Sequence, residues 1–200
     1  HELLIEENEI EEVKGVRMKI QEFSDDIKVT WVKITNEDGA EILGKPVGNY
    51  VTIESESMKV NDVLSHEKVI KIFSKNLGKL HDLDKDGRIL IVGLGNWNVT
   101  PDALGPKVVS KVLVTRHIKE SISENIRDDV RSVSAISPGV MGITGIETAE
   151  IVKGIVDRIK PDLVIAIDAL ASRKTSRVNT TIQMCDTGIS PGAGLGNNRM

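Results

Sequence analysis

Apolar residues change their spacing partway along the chain. In residues 1–58, short runs rich in β-branched and aromatic residues read as antiparallel strands: Val16–Phe23, Ile27–Thr35 and Tyr50–Glu54. Asn36-Glu37-Asp38-Gly39 supplies turn chemistry between two of them. From Val60 to Leu80, apolar residues such as Val63, Leu64, Val69, Ile72, Phe73 and Leu80 recur at helical spacing and predict one helix, with Gly78 a weak point near its end.

From Arg88 onward strands and helices alternate. Ile89-Leu90-Ile91-Val92 and Leu163-Val164-Ile165-Ala166-Ile167 are continuous aliphatic runs, the mark of strands buried on both faces. Ala103 to Ile118 reads as a helix with Pro106 in its first turn. Val130–Ile136 reads as a strand. Thr144-Gly145-Ile146-Glu147 fits a capping box that opens a helix to about Ile159. Thr180–Met184 reads as a last strand. The order predicts an α/β fold: a mostly parallel, doubly wound sheet with helices on both faces, preceded by an antiparallel β segment. The 200 residues fit one domain, with a β-rich part over 1–58 and a βα core over 59–200. The Gly-rich tail from Gly188 to Met200 leads into no further element, which suggests a domain cut short at its C-terminus.

Composition narrows the functions. Aromatics make up 2% of residues and the net charge is −4, so neither the stacking surfaces nor the basic patch of a nucleic-acid binder is expected. No run approaches the roughly 20 apolar residues that cross a bilayer. The single cysteine, Cys185, allows no internal disulfide and fits a reducing, cytoplasmic setting. The start, His1-Glu2-Leu3-Leu4-Ile5-Glu6-Glu7, is acidic where a signal peptide would be basic, and it lacks an initiating Met. It reads as a start inside the gene or the product of leader removal.

In open parallel sheets, sites form beyond the C-terminal ends of the strands. Three features converge there: Gly93-Leu94-Gly95-Asn96 after the first buried strand, Thr100-Pro101-Asp102-Ala103-Leu104-Gly105-Pro106 at the next helix, and Asp168 at the end of the second buried strand. A carboxylate after five aliphatic residues is costly to bury unless it is paired or changes its protonation; its structural role would be to cap a turn. Asp102 near a helix start is commonplace taken alone. Together the two aspartates form a candidate pair for acid–base work on an amide, one ionised and one protonated, with the roles unassigned between them. Asn96 and Arg173 neighbour the pair in sequence and are candidates to orient substrate or stabilise charge, or to serve as structural hydrogen-bonding groups.

Other signals are weaker. Gly93-Leu94-Gly95 lacks the third glycine of a dinucleotide loop. Asp186-Thr187-Gly188 matches the pepsin tripeptide, but on a chain of alternating strands and helices it reads as a turn after a strand. His1, His66, His81 and His117 show no metal-binding pair at helical spacing. Ser137-Pro138-Gly139-Val140-Met141-Gly142 reads as a loop at the rim of the site.

Long strings around these residues resemble the germination protease family of endospore-forming bacteria. They are Val92–Asn96, Val99–Pro106, Ser137–Thr148, Ile165–Arg173 and Gly188–Gly192, with looser agreement at Lys14–Val16 and Gly48–Thr52. The resemblance implies an atypical aspartic-type endopeptidase that degrades small acid-soluble spore proteins, with Asp102 and Asp168 as catalytic aspartates and no metal or other cofactor. It further implies a zymogen that removes a short propeptide, a homotetramer, residence in the spore core, and a core like that of hydrogenase maturation proteases. The family's chains continue well past Met200, which puts the activity of these 200 residues by themselves in question. Two alternatives stand beside it. One is a nickel-dependent endopeptidase of the hydrogenase-maturation type, suggested by the Gly-x-Gly-Asn turn and the following Asp, though no His occupies a strand-end position. The other is a non-catalytic sporulation protein of the same fold, which would have no reason to keep both aspartates.

Overall fold

The computed structural model describes residues 4–23, 26–60, 62–82, 84, 86–119, 130–172 and 175–189. The chain forms two compact units, one from residues 1–82 with 172–189 and one built on residues 83–171.

The first unit is an antiparallel sheet with strand order β1-β2-β3-β4-β8: β1 (Leu4–Val13), β2 (Val16–Phe23), β3 (Ile27–Ile34), β4 (Gly48–Glu54) and β8 (Thr181–Cys185). Lys14 and Gly15 both take positive φ between β1 and β2, which is the tight turn whose twist matches a two-stranded hairpin. Ile27 and Val29 of β3 and Val51 and Ile53 of β4 alternate inward and are essentially sealed from solvent. Helix α2 (Val63–Leu80) covers them with Val69 and Ile72. Asp62 caps it by accepting from the backbone of Leu64 and Ser65, both at 3.3 Å. One polar group enters this interface and is satisfied. Asn76, buried on α2, donates to the Ile72 carbonyl at 2.7 Å and accepts from Trp31 Nε1 at 2.7 Å.

The second unit is a parallel sheet with order β6-β5-β7: β5 (Ile89–Gly93), β6 (Val133–Ile136) and β7 (Leu163–Ile167). Leu90, Val92 and Leu94 pack with Val152, Ile155, Val156 and Ile159 of helix α6 (Thr148–Ile159). Helix α3 (Leu104–Val109) packs against the other face of β5, where a Cβ on Gly93 would stand 2.7 Å from Val109 Cγ2. Helices thus lie on both faces, as expected of an α/β unit. The starts of β5 and β7 are tied by Arg88, whose backbone N–H and guanidinium both donate to the Asp162 carboxylate at 2.8–3.2 Å.

Several expected elements differ. The strand expected at 180–184 is present as β8, but it does not extend the parallel sheet. It pairs antiparallel with β4, from Tyr50 opposite Cys185 to Glu54 opposite Thr181. The parallel sheet therefore has three strands, and the fold comprises a parallel α/β sheet and a separate antiparallel sheet. Residue type cannot distinguish these pairings in a strand of five residues; the Asp186 carboxylate holds this one, accepting from Asn49 backbone N at 2.8 Å and Asn49 Nδ2 at 2.6 Å. The Asp-Thr-Gly tripeptide is accordingly a clamp after a strand. Asn36 opens not a hairpin turn but α1 (Glu37–Leu43), accepting from Gly39 N at 3.0 Å.

The helix expected over 103–118 breaks into α3 and a short α4 (Arg116–Lys119). Val108, Val109, Val112 and Val114 give that stretch poor helix propensity. The capping box is absent as well. Thr144 ends a one-turn helix, α5 (Met141–Thr144), and its hydroxyl bonds the Ile146 carbonyl at 3.0 Å, while Glu147 stands at the start of α6 without a side-chain cap.

Candidate active site

The C-terminal ends of β5 and β7 lie side by side, with Gly93 opposite Ile167. One further bond extends the ladder past the strands: Leu94 N–H donates to the Ile167 carbonyl at 2.8 Å. That bond sets the β5 exit against the residue that precedes Asp168. The chain then turns at Gly95, which takes φ +110°; a side chain there would press on Asp102, with Oδ1 only 3.0 Å from an added Cβ.

Asp102 sits in a turn of 3-10 helix (Thr100–Asp102) that Pro101 pre-shapes. Its carboxylate Oδ2 accepts from Asn96 N–H at 2.8 Å, and the same N–H also lies 3.1 Å from the Asp102 carbonyl. The Asp102 backbone N–H donates to the Val99 carbonyl at 2.8 Å, and Val99 N–H donates to the Asn96 carbonyl at 3.1 Å. The loop is thus closed on itself, with the carboxylate pinned at its base.

Gly105 makes the convergence possible. An added Cβ would stand 2.6 Å from the Ile167 carbonyl oxygen and still nearer to backbone atoms of Leu94. Only a residue without a side chain lets the segment carrying Asp102 approach both strand ends.

Asp168 follows β7 and is partly buried. Its Oδ1 accepts from Ala169 N–H at 2.8 Å. Burial raises the pKa of its carboxyl, the Ala169 N–H pulls the other way, and the negative charge of Asp102 raises it again. The two aspartates therefore share one electrostatic environment at one sheet edge.

Of the residues singled out in the sequence, Asp102, Asp168 and Asn96 all belong to this edge. Asn96 acts on Asp102 through its backbone N–H, while its side-chain Oδ1 accepts from Asn98 N at 3.0 Å. Arg173 lies outside the described residues. The segment Ser137–Val140 leaves the C-terminal end of β6, the strand on the other side of β5, and Thr148 Oγ1 bonds the Gly139 carbonyl there at 3.2 Å. Among the described residues, no three His, Cys, Asp or Glu side chains group closely enough to hold a metal ion. Two contributors were not foreseen from residue types: the N–H of Ala169, which no side chain announces, and Gly105, whose signal was only its place between Leu104 and Pro106.

A parallel α/β sheet with two carboxyls at its C-terminal edge defines the general class. The particular family follows from comparison with known proteins. The family model described as germination protease matches residues 1–200, and the chain belongs to that family. It is 57% identical over 189 residues to the germination protease of Caldanaerobacter subterraneus subsp. tengcongensis, which covers 94% of this chain and 58% of that protein. It is 54% identical over 189 residues to the Clostridium perfringens (strain SM101 / Type A) germination protease, with the same coverages. It is 51% identical over 191 residues to that of Bacillus subtilis (strain 168), covering 94% of this chain and 51% of that protein. The chain thus spans between half and three fifths of the length of these relatives. No helix among the described residues is long and apolar enough to cross a membrane.

Proposed function

We propose that this chain carries the catalytic centre of an aspartic-type endopeptidase acting in spore germination, with Asp102 and Asp168 as the working pair. The observation that carries the reading is their convergence at one sheet edge, where the charge of Asp102 acts on a carboxyl already made harder to ionise by burial.

That asymmetry supports a division of labour. The raised pKa of Asp168 favours it as the proton donor, which leaves Asp102 the role of base. Asp102 takes a proton from a water molecule, whose oxygen adds to the amide carbon, while Asp168 gives its proton to the carbonyl oxygen. The neutral tetrahedral diol then collapses. Asp102 returns its proton to the amide nitrogen, the C–N bond breaks, and Asp168 recovers a proton from a diol hydroxyl. Both residues end as they began, and no cofactor enters the balance. The turn that holds Asp102 through Asn96 N–H fixes the base against the strand end.

The substrate class, small acid-soluble spore proteins, is proposed from the family, as are a homotetrameric assembly, maturation by propeptide removal and residence in the spore core. The Gly93–Asn96 turn followed by Asp102 supports reading the parallel sheet as a core shared with hydrogenase maturation proteases.

The test is substitution in the intact protein. Asp102→Asn and Asp168→Asn are expected to fold, by circular dichroism and thermal melting, and to lose about 10²- to 10⁴-fold in peptide turnover. Near-normal turnover by either folded variant would remove that aspartate from the chemistry.

A further inference from the structure

Alternate residues of β6 spend their backbone groups on β5. Ile89 N–H donates to the Ser132 carbonyl at 2.9 Å, and the parallel register sets Ile89 opposite Val133 and Ile91 opposite Ala135. Ser132, Ser134 and Ile136 therefore face β5, while Val133 and Ala135 turn their N–H and C=O to the outer edge of the sheet. Val133 finds both partners in Thr115. Thr115 N–H donates to the Val133 carbonyl at 3.0 Å, and Thr115 Oγ1 accepts from Val133 N–H at 2.9 Å. The chain then turns away into α4, where Lys119 N–H donates to the Thr115 carbonyl at 2.8 Å.

Ala135 lies one rung closer to the C-terminal edge. It is partly buried, and among the described residues nothing bonds its N–H or its carbonyl. Partly buried backbone groups without partners are uncommon, and an open strand edge is a template for a further strand. Beyond Ile136 this edge runs into the rim segment Ser137–Val140, which is held from two sides. Thr148 Oγ1 donates to the Gly139 carbonyl at 3.2 Å, and Thr144 Oγ1 donates to the Val140 carbonyl at 3.3 Å. The open rung therefore leads, on fixed backbone, toward the sheet edge that carries Asp102 and Asp168.

We propose that the outer edge of β6 at Ala135 takes up the peptide substrate as an added strand, with the Ala135 N–H and C=O pairing the substrate backbone at a distance from the scissile bond. This rests on the peptidase reading above. Adjacent strands lie about 4.8 Å apart, so a strand added beside β6 stands three spacings, roughly 14 Å, from β7 and Asp168. An extended chain covers about 3.3 Å per residue, so about four or five residues separate the anchored unit from the cleaved amide. Main-chain pairing selects an extended, unfolded stretch of polypeptide largely irrespective of its side chains.

The experiment is steady-state cleavage by the intact protein of one long peptide and of versions trimmed to fewer than about four residues on one side or the other of the scissile bond. Trimming one of the two sides is expected to lower kcat/KM about fivefold, through KM and with kcat kept. N-methylation of a single backbone amide in the trimmed stretch should do the same. Ala135→Pro removes the N–H at an edge position where proline is tolerated. It should lower kcat/KM on the long peptide by a similar factor and leave the trimmed peptide unchanged, while Ala135→Ser should behave as the wild type. In the Asp168→Asn protein, the long peptide should slow hydrogen exchange at the Ala135 amide and the trimmed peptide should not; this readout decides the matter if Ala135→Pro fails to fold. Equal turnover of long, trimmed and N-methylated peptides, or unchanged exchange at Ala135, would overturn the proposal. If the aspartate variants cleave normally while the length dependence and its loss in Ala135→Pro persist, the carboxylate assignment has failed and the strand-edge assignment stands.

Discussion

Asp168 holds its proton more tightly than an ordinary aspartate, first because it is buried and then because the charge of Asp102 acts on it. The two residues reach one edge by separate routes. Asp168 ends a strand, and Asp102 is brought to the neighbouring strand's exit by a closed loop. The charge of Asp102 disfavours ionisation of Asp168, which favours a pair of one acid and one base.

The raised pKa of Asp168 has a consequence for stability. The native state takes up this proton more readily than the unfolded chain does. The contribution of Asp168 is therefore fully present below the ordinary aspartate range and is lost as pH rises through the native titration. Asp168→Asn keeps an oxygen for Ala169 N–H and cannot ionise. It should melt at higher temperature than the wild type at pH values above the native titration of Asp168, and the gain should disappear in acid. A melting-temperature difference that does not grow as pH rises through that titration would contradict this.

Glycine substitutions separate a site requirement from simple flexibility. Gly105→Ala places a methyl group 2.6 Å from the Ile167 carbonyl and against the Leu94 backbone, where nothing can move without parting the strand ends. It should cost about 2–4 kcal/mol and abolish turnover. Gly154→Ala on the exposed side of α6 meets nothing within 4 Å. It should gain about 1 kcal/mol and leave turnover unchanged. Denaturant unfolding of both variants measures the contrast.

A carboxylate mechanism does not depend on a divalent ion. Turnover should survive exhaustive treatment with EDTA and should not rise on addition of nickel. Loss of activity on chelation, restored by nickel, would favour the metal-dependent alternative and remove the aspartate pair from its proposed role.

Much of this was legible in residue types. Ile89–Val92 and Leu163–Ile167 announce parallel strands because they are aliphatic throughout, although β7 is not buried on both faces, since Val164 and Ala166 are exposed; the rule that sites lie beyond such strand ends then singles out Asp168 and Asp102. The partner of β8 was not legible, since Thr181–Cys185 carries no periodicity that separates parallel from antiparallel pairing, and its register is set by Asp186 bonding Asn49, far away in sequence. Thr144 and Glu147 have the spacing of a capping box, yet the left-handed turn at Gly145 spends the Thr144 hydroxyl on Ile146. The support of Asp102 comes from a backbone N–H, which every residue but proline possesses, so no side chain could have pointed to it.

The most direct measurement is the titration of the Asp168 carboxyl by carbon-13 NMR in the intact protein, with and without Asp102. The coupled-pair account predicts a midpoint above the ordinary aspartate range that moves to lower pH in Asp102→Asn. An ordinary midpoint, or one that does not respond to loss of Asp102, would contradict it.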